Sequence, residues 1–194
     1  TVKYITEALA TIARETKGDK ATELKYASTV ASQNNGLKLY QGQLDGLAKL
    51  ASGFQAMHPM EPAAATEVVS LHLHEMTSMQ VETQAHIPAY AAWMDDQDLR
   101  GVYRYEETAL KVLQHGYDST RWSLKTPAYL AGLDAIFDVY PDARMVWTHR
   151  APADVVVSVS SLNAALHGVM CRGVDRVVVA HHWLERLAGM VDRA

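Results

Sequence analysis

The sequence has 194 residues, of which only one is a cysteine and two are phenylalanines, and it has no excess of positive charge. The single cysteine, Cys171, excludes an internal disulfide and every zinc motif that needs several cysteines. It also favours a reducing, cytoplasmic setting. A formal net charge of −4 argues against broad attraction to DNA or RNA, so no nucleic-acid partner is expected. We find no signal-peptide pattern and no long uncharged apolar run, so no transmembrane segment is expected.

In other respects the chain has the composition of an ordinary globular protein, with 48% hydrophobic and 21% charged residues. The length predicts a single domain over residues 1–194. Residues 1–56 read as helices, with apolar stripes such as Leu37, Tyr40, Leu44, Leu47 and Leu50, and they contain no catalytic constellation. The patterns that carry functional information lie in residues 57–191.

Several helices and two strands are predicted in this second part. One helix is expected over residues 66–76, and another from a cap at Asp95 and Asp96 to a stop at Gly116. Residues 122–124 and 145–148 are strand-like, and a helix that starts at Thr126 lies between them. Further helices are predicted from Pro152 and over residues 174–191. The order strand, helix, strand, helix predicts an α/β fold with a small parallel sheet and many helices.

A candidate anion site follows the second of these strands. The first N–H groups of a helix have no intrahelical partner and carry partial positive charge, so a helix start attracts anions. Arg150 stands directly before the helix that Pro152 opens, and a guanidinium can bind a phosphate through two parallel hydrogen bonds. Ser158 lies two turns into that helix, on the same face as Asp154 and Ser161. The residues alone leave open whether Arg150 and Ser158 bind phosphate or are ordinary surface positions.

Two stretches of this region resemble one enzyme family. Residues 121–130, RWSLKTPAYL, and residues 140–152, YPDARMVWTHRAP, together with the serines and leucine at 158 and 160–162, are similar to segments of bacterial-type sulfotransferases. These enzymes use 3′-phosphoadenosine-5′-phosphosulfate (PAPS) as co-substrate. Residues 87–93, IPAYAAW, and the helix after Tyr103 resemble the middle section of the same family.

The resemblance implies a fold and a nucleotide site. The fold would be an incomplete form of the nucleotide-binding sandwich of P-loop nucleotide hydrolases, and the contacts to the 3′-phosphate of PAPS would be Arg150 and Ser158. The implied reaction is transfer of a sulfuryl group from PAPS to a hydroxyl of a small or lipid-like acceptor. Lys125, which ends the first strand, is a cation candidate for the cleft, and His149 could contact the ligand or orient the loop. Lys125 is the one candidate for a catalytic role, and no residue is assigned as the catalytic base.

The chain also departs from the family pattern. Family members hold the 5′-phosphosulfate with a strand, a Gly/Ser/Thr-rich loop and a helix, and we find no such loop before residue 57. Ala151 stands where aspartate is common, and Tyr129 where histidine is frequent. The alternative is therefore a non-catalytic nucleotide-binding or structural module derived from a sulfotransferase. An incomplete sheet would expose an edge that a partner chain could cover, so a homo-oligomer is left open.

The histidines and tryptophans suggest packing rather than chemistry. His72 and His74 would point to different sides of a helix and could not share one ion, so no metal site is expected. Of the adjacent pair His181 and His182, one should face the core and the other solvent. The four tryptophans, at positions 93, 122, 147 and 183, are predicted as core residues, although one could flank the adenine of the nucleotide.

Overall fold

The structure, a computed structural model, describes residues 38–50, 60, 66–115 and 121–194. The chain forms two compact units, Thr1–Ala65 and Thr66–Ala194. In the first unit, residues 38–50 lie in a helix, α1, on which Leu44 is buried. The predicted apolar stripe is only partly confirmed, because Leu50 at its end is 72% exposed. The helices predicted before residue 38 lie outside the described residues.

The second unit consists of short helices and three longer ones, α5, α7 and α8. In chain order the elements are α2 (Val69–His72) with a 3₁₀ turn (Leu73–Glu75), α3 (Met79–Gln84), α4 (Pro88–Asp95), α5 (Arg100–Gln114), a 3₁₀ helix (Pro127–Ala131), α6 (Leu133–Val139), α7 (Pro152–Met170) and α8 (Arg176–Arg193). Helix α8 lies along α7, and the 3₁₀ helix packs on α8. Asp175 caps α8 by accepting hydrogen bonds from the N–H groups of Val177 and Val178, which fixes where this helix begins.

Two apolar clusters form the core of this unit. The larger one is built from α3, the 3₁₀ helix and α8, and its buried members are Met79, Ala128, Val179, Trp183 and Met190. The smaller one joins α5 to α6 through Val102, Tyr103, Ala135 and Ile136. Between them, the two clusters fix the 3₁₀ helix and α6 against the long helices.

The predicted parallel sheet is wrong for the described part of the chain, in which no residue forms a strand. Residues 122–124 and 145–148 have the composition of strands, yet both are irregular here. A strand needs a neighbour that pairs with its N–H and C=O groups, and these two segments do not pair with each other. The two segments thus contain residues that favour strands, but they do not form strands. The described fold is helical.

Two smaller predictions also need correction. The helix that starts at Thr126 is capped by the threonine hydroxyl, as expected, but it is a 3₁₀ helix and gives way to α6 at Gly132. A side chain at Gly132 would come 2.6 Å from Cδ1 of Leu99, so the chain approaches α5 closely there. Asp95 and Asp96 do not cap α5, which begins at Arg100 with no side-chain cap.

The fourth correction concerns the tryptophans. Trp183 is buried at 2% exposure, whereas Trp93, Trp122 and Trp147 are 44%, 46% and 38% exposed. Large apolar side chains at three positions predicted as core therefore lie at the surface of the described part.

Helix α7 is the one described helix that is long and apolar enough to cross a membrane by length and composition. Its mean hydropathy reaches 1.3 over an 18-residue window, of which 17% is buried. Core helices of globular proteins meet the same criterion, and the inner face of α7 packs against α8 and α3. Composition alone therefore does not assign α7 to a membrane.

Candidate functional site

The predicted anion site lies at the start of α7. Pro152 occupies the first turn, as the sequence predicts, and Ala151 offers no side-chain cap. The first helical hydrogen bond runs from the N–H of Val155 to the carbonyl of Ala151 at 3.2 Å. The N–H groups of Ala153 and Asp154 therefore have no intrahelical acceptor. The carboxylate of Asp154 in the same turn already complements part of the helix dipole.

Arg150 is exposed, and it makes no hydrogen bond or ion pair with any residue that the structure describes. It is the last residue of an irregular segment, residues 143–150, and does not follow a strand. Its neighbour His149 stacks on Trp147 with ring centroids 4.8 Å apart and planes inclined by 26°. His149 thus has a packing partner, while the Arg150 guanidinium stays open to an external anion.

Ser158 is exposed on α7, six residues beyond Pro152. At about 1.5 Å of rise per residue it stands about 9 Å further along the helix axis. Among the described residues, no contact joins Ser158 to Arg150. The structure leaves both side chains accessible but does not bring them together on a common group.

Lys125 has a protein partner already. Its ammonium group contacts the carboxylate of Glu67, and its carbonyl accepts a hydrogen bond of 3.2 Å from the N–H of Val68. The following residue, Thr126, caps the 3₁₀ helix through a bond of 3.2 Å from the N–H of Ala128. Lys125 is thus anchored to the segment before α2, with its side chain 75% exposed.

A buried polar cluster that sequence reasoning missed centres on Glu106. This side chain is fully buried on α5, and its Oε2 lies 2.6 Å from Nε2 of His72. Its Oε1 accepts hydrogen bonds from the hydroxyls of Tyr129 at 2.9 Å and Tyr140 at 3.0 Å. Burial, reinforced by the Glu106 charge, raises the pKa of both tyrosines above 10.0. The cluster joins α2, α5, the 3₁₀ helix and the chain after α6.

A second buried cluster centres on Glu82 of α3. Arg186 of α8 binds its carboxylate through two hydrogen bonds of 2.8 Å, a bidentate pair with both side chains almost inaccessible to solvent. Arg186 also contacts Asp95, the residue that the sequence suggested as a cap. Burial disfavours the charge of Arg186, but hydrogen bonds to Glu82 and Asp95 outweigh it and raise the arginine pKa. The pair ties the last helix to α3 and α4.

The sequence does contain a signal for both clusters. Glu106 falls on the same helical face as Val102, Tyr103 and Leu110, which are buried, so a charge interrupts an apolar stripe. Arg186 is placed in the same way between Trp183 and Met190 on α8. A charged residue on a buried helix face needs a partner of opposite charge or a hydrogen-bonding partner. A charge within an apolar stripe is therefore the sequence signal that predicts a buried polar cluster.

The histidine pairs are separated as helical spacing predicts. His72 contacts Glu106, whereas His74 lies 2.5 Å from the hydroxyl of Tyr105. His182 faces Glu82 at 3.3 Å, and His181 next to it is exposed. No group of three or more metal-binding side chains occurs in the described ranges.

A shallow open groove of about 340 Å³ lies between α8 and the start of α4. Its lining residues are His86, Pro88, Val177, Val178, His181, His182 and Glu185. None of the predicted nucleotide contacts is among them. The groove and the start of α7 are therefore separate features of the surface.

Comparison with known proteins supplies one finding. The model of the sulfotransferase family matches residues 9–194. The match therefore includes most of residues 1–56, which lie outside the stretches that carry the resemblance in the sequence. Neither the curated proteins nor the solved structures include a match to this chain.

Proposed function

Since the chain belongs to the sulfotransferase family, we propose that it transfers a sulfuryl group from PAPS to a hydroxyl of a small or lipid-like acceptor. In this reaction the acceptor oxygen attacks sulfur, and the bond from sulfur to the bridging oxygen of the 5′-phosphate breaks. The acceptor proton passes to a base, and the products are a sulfate ester and adenosine 3′,5′-bisphosphate. No described residue is assigned as that base.

The observation that carries the proposal is the open guanidinium of Arg150 beside the uncapped start of α7. Arginines in folded proteins are commonly engaged by carboxylates, as Arg186 is here by Glu82. Arg150 has no such partner among the described residues and adjoins two N–H groups without intrahelical acceptors. This donor set suits a phosphate monoester, which offers several acceptor oxygens to a planar fork and to backbone N–H groups.

The described residues offer fewer contacts for the 5′-phosphosulfate of the nucleotide than for its 3′-phosphate. Lys125, the candidate cation for this end, is paired with Glu67 and would have to exchange that partner for the phosphosulfate. This pairing favours the second candidate function, a module that binds the nucleotide and does not catalyse transfer. The two candidates share the 3′-phosphate contact and differ only in turnover.

Calorimetric titration with adenosine 3′,5′-bisphosphate tests the shared contact. We expect binding in the wild type and a loss of about 10- to 100-fold in affinity for Arg150→Ala, because charge-assisted hydrogen bonds contribute about 1.5–3 kcal/mol. Arg172→Ala, which removes another exposed arginine, is the matched control and should bind as the wild type does. Adenosine 5′-monophosphate lacks the 3′-phosphate, so its affinity should be weak and insensitive to Arg150→Ala.

Equal affinity of Arg150→Ala and wild type for the bisphosphate would remove the proposed site. Turnover is tested separately, with PAPS labelled in its sulfur and a mixture of hydroxyl acceptors. Labelled sulfate ester identifies an enzyme, whereas nucleotide binding without any product identifies the non-catalytic module.

A further inference from the structure

A pair of histidine rings joins the turn between α3 and α4 to α8. His86 in this turn lies edge to face with His182 of α8, with ring centroids 5.1 Å apart and planes inclined by 86°. Apart from helical bonds, the backbone of the turn makes hydrogen bonds in the described part of the chain only through the carbonyl of Ile87, which accepts from the N–H groups of Tyr90 and Ala91. The ring pair, His86 with His182, is therefore an important attachment of this turn.

One ring of the pair also contacts a buried carboxylate. Nε2 of His182 lies 3.3 Å from Oε2 of Glu82, and the histidine side chain is 12% exposed. When the neutral ring carries its proton on Nε2, it already donates that N–H to the carboxylate. A second proton, on Nδ1, therefore adds a charge to a largely buried ring without adding a hydrogen bond to Glu82.

The charges around the ring pair are balanced while both rings are neutral. Glu82 is bound by two N–H groups of Arg186, and Asp95 contacts both Arg186 and Arg193, so two carboxylates face two guanidinium groups. The other titratable side chains that face this cluster are Tyr90 of α4, His167 of α7, and His181 and Glu185 of α8, of which the last two form a pair at 3.5 Å. A proton on either ring of the pair therefore adds positive charge that none of these carboxylates is free to offset.

We propose that the ring pair is an acid-sensitive latch, which holds the turn on α8 while both imidazoles are neutral and releases it when they bind protons in weakly acidic solution. Two imidazolium rings 5.1 Å apart repel one another, and a charged His182 gains contact with water only if His86 moves away. Release of the turn widens the groove of about 340 Å³ beside α8, because both rings line it. The latch does not rest on the nucleotide proposal, since none of the predicted nucleotide contacts belongs to it.

The direction and size of the response follow from proton linkage. Burial lowers the pKa of His182 against the opposing effect of Glu82, and the neighbouring His86 lowers it further. The closed turn is therefore favoured above the ordinary histidine value of about 6.5 and loses stability as the pH falls below it. If release restores ordinary proton binding at one histidine, the ratio of open to closed turn rises about tenfold between about pH 7.5 and 5.5.

Solvent exchange of backbone amides in the full chain detects the release. The N–H of Ala91 is bonded to the carbonyl of Ile87 at 3.2 Å, so it exchanges when the turn opens. The N–H of Tyr103, bonded in the same way to the carbonyl of Leu99 at the start of α5, is the matched control. After correction for the intrinsic pH dependence of exchange, the protection of Ala91 should fall about tenfold from about pH 7.5 to 5.5, and that of Tyr103 should not. Unchanged protection of Ala91 overturns the latch, and so does an equal fall at Tyr103, because that indicates acid unfolding of the whole unit.

Two variants separate the proton-binding group from the ring contact. His182→Gln can still donate a hydrogen bond to Glu82 but does not titrate, so Ala91 should stay protected at the lower pH. His86→Ala lacks the ring contact, so the protection of Ala91 should already be about 2- to 10-fold lower at the higher pH, as expected for the loss of one aromatic pair.

His181→Gln, at an exposed position on the same groove, is the control and should respond to pH as the wild type does. The latch is contradicted by a His182→Gln variant that loses protection as the wild type does. It is equally contradicted by a His86→Ala variant in which Ala91 is as protected at the higher pH as in the wild type.

Discussion

Replacing Glu106 should show how far the helical unit depends on one buried carboxylate. Glu106→Ala removes the acceptor for the hydroxyls of Tyr129 and Tyr140 and the partner of His72. Removing one member of a buried charged network costs about 3–5 kcal/mol, because the remaining polar groups lose their partners without regaining water. We therefore expect a large fall in the free energy of unfolding rather than the effect of a surface change.

Glu106→Gln separates hydrogen bonding from charge. The amide oxygen can still accept from both tyrosines, and the amide nitrogen can donate to His72 in its other tautomer. We expect a cost of about 1–2 kcal/mol for this variant. Glu107→Gln is the matched control on the next position of α5. Its exposed ion pair with Lys111 contributes at most about 0.5 kcal/mol.

The assay is urea and thermal denaturation followed by circular dichroism. For a unit of this size, a loss of 3–5 kcal/mol lowers the melting temperature by on the order of 10–20 °C. A melting temperature of Glu106→Ala within about 2 °C of that of Glu107→Gln would refute a stabilising role for the buried carboxylate. A glutamine variant that is destabilised as much as the alanine variant would show that hydrogen bonding is not what the carboxylate contributes.

Three further predictions follow from the same contacts. Gly132→Ala should destabilise by about 1 kcal/mol in urea titrations, because the added methyl group would lie 2.6 Å from Cδ1 of Leu99 and this side chain must move away. An unchanged midpoint contradicts this close approach. The pKa of Tyr129 is raised by burial and by Glu106, so the folded state favours the neutral phenol, and stability should be complete below pH 10 and fall above it. Tyr129→Phe should flatten that alkaline fall, and an identical pH profile would refute the assignment. Burial lowers the pKa of His182 below 6.5, so the stability that its neutral form contributes is present above pH 6.5 and is lost as the pH falls below that value. His182→Gln should therefore lose less stability than the wild type between pH 7 and 5. A steeper loss in this variant contradicts the prediction.

The sequence predicted best those elements whose signals are local. A proline in the first turn, Pro152, predicts the start of α7, and the spacing of apolar residues over one or two turns predicts α8. Both helices are confirmed. Their bounds were close, since the last helix was expected over residues 174–191 and is found at Arg176–Arg193. Periodicity and first-turn chemistry need no knowledge of what the helix packs against.

Features that depend on distant partners could not be read in this way. Asp95 has the composition of a helix cap, yet its carboxylate contacts Arg186, which is 91 positions later in the chain. Residues 145–148 have strand composition, but only a second strand can turn that preference into a sheet. The predicted contacts Arg150, Ser158, Lys125 and His149 remain predictions, because an anion site is defined by its ligand.

The distribution of partners among the charged side chains links the fold to the proposed site. Inside the helical unit, each buried carboxylate is matched, Glu82 by Arg186 and Glu106 by His72 and two tyrosines. Burial makes these pairings obligatory, because an unmatched charge there would cost several kcal/mol. Arg150 lies at the surface and is under no such constraint, so its charge is free to meet a phosphate.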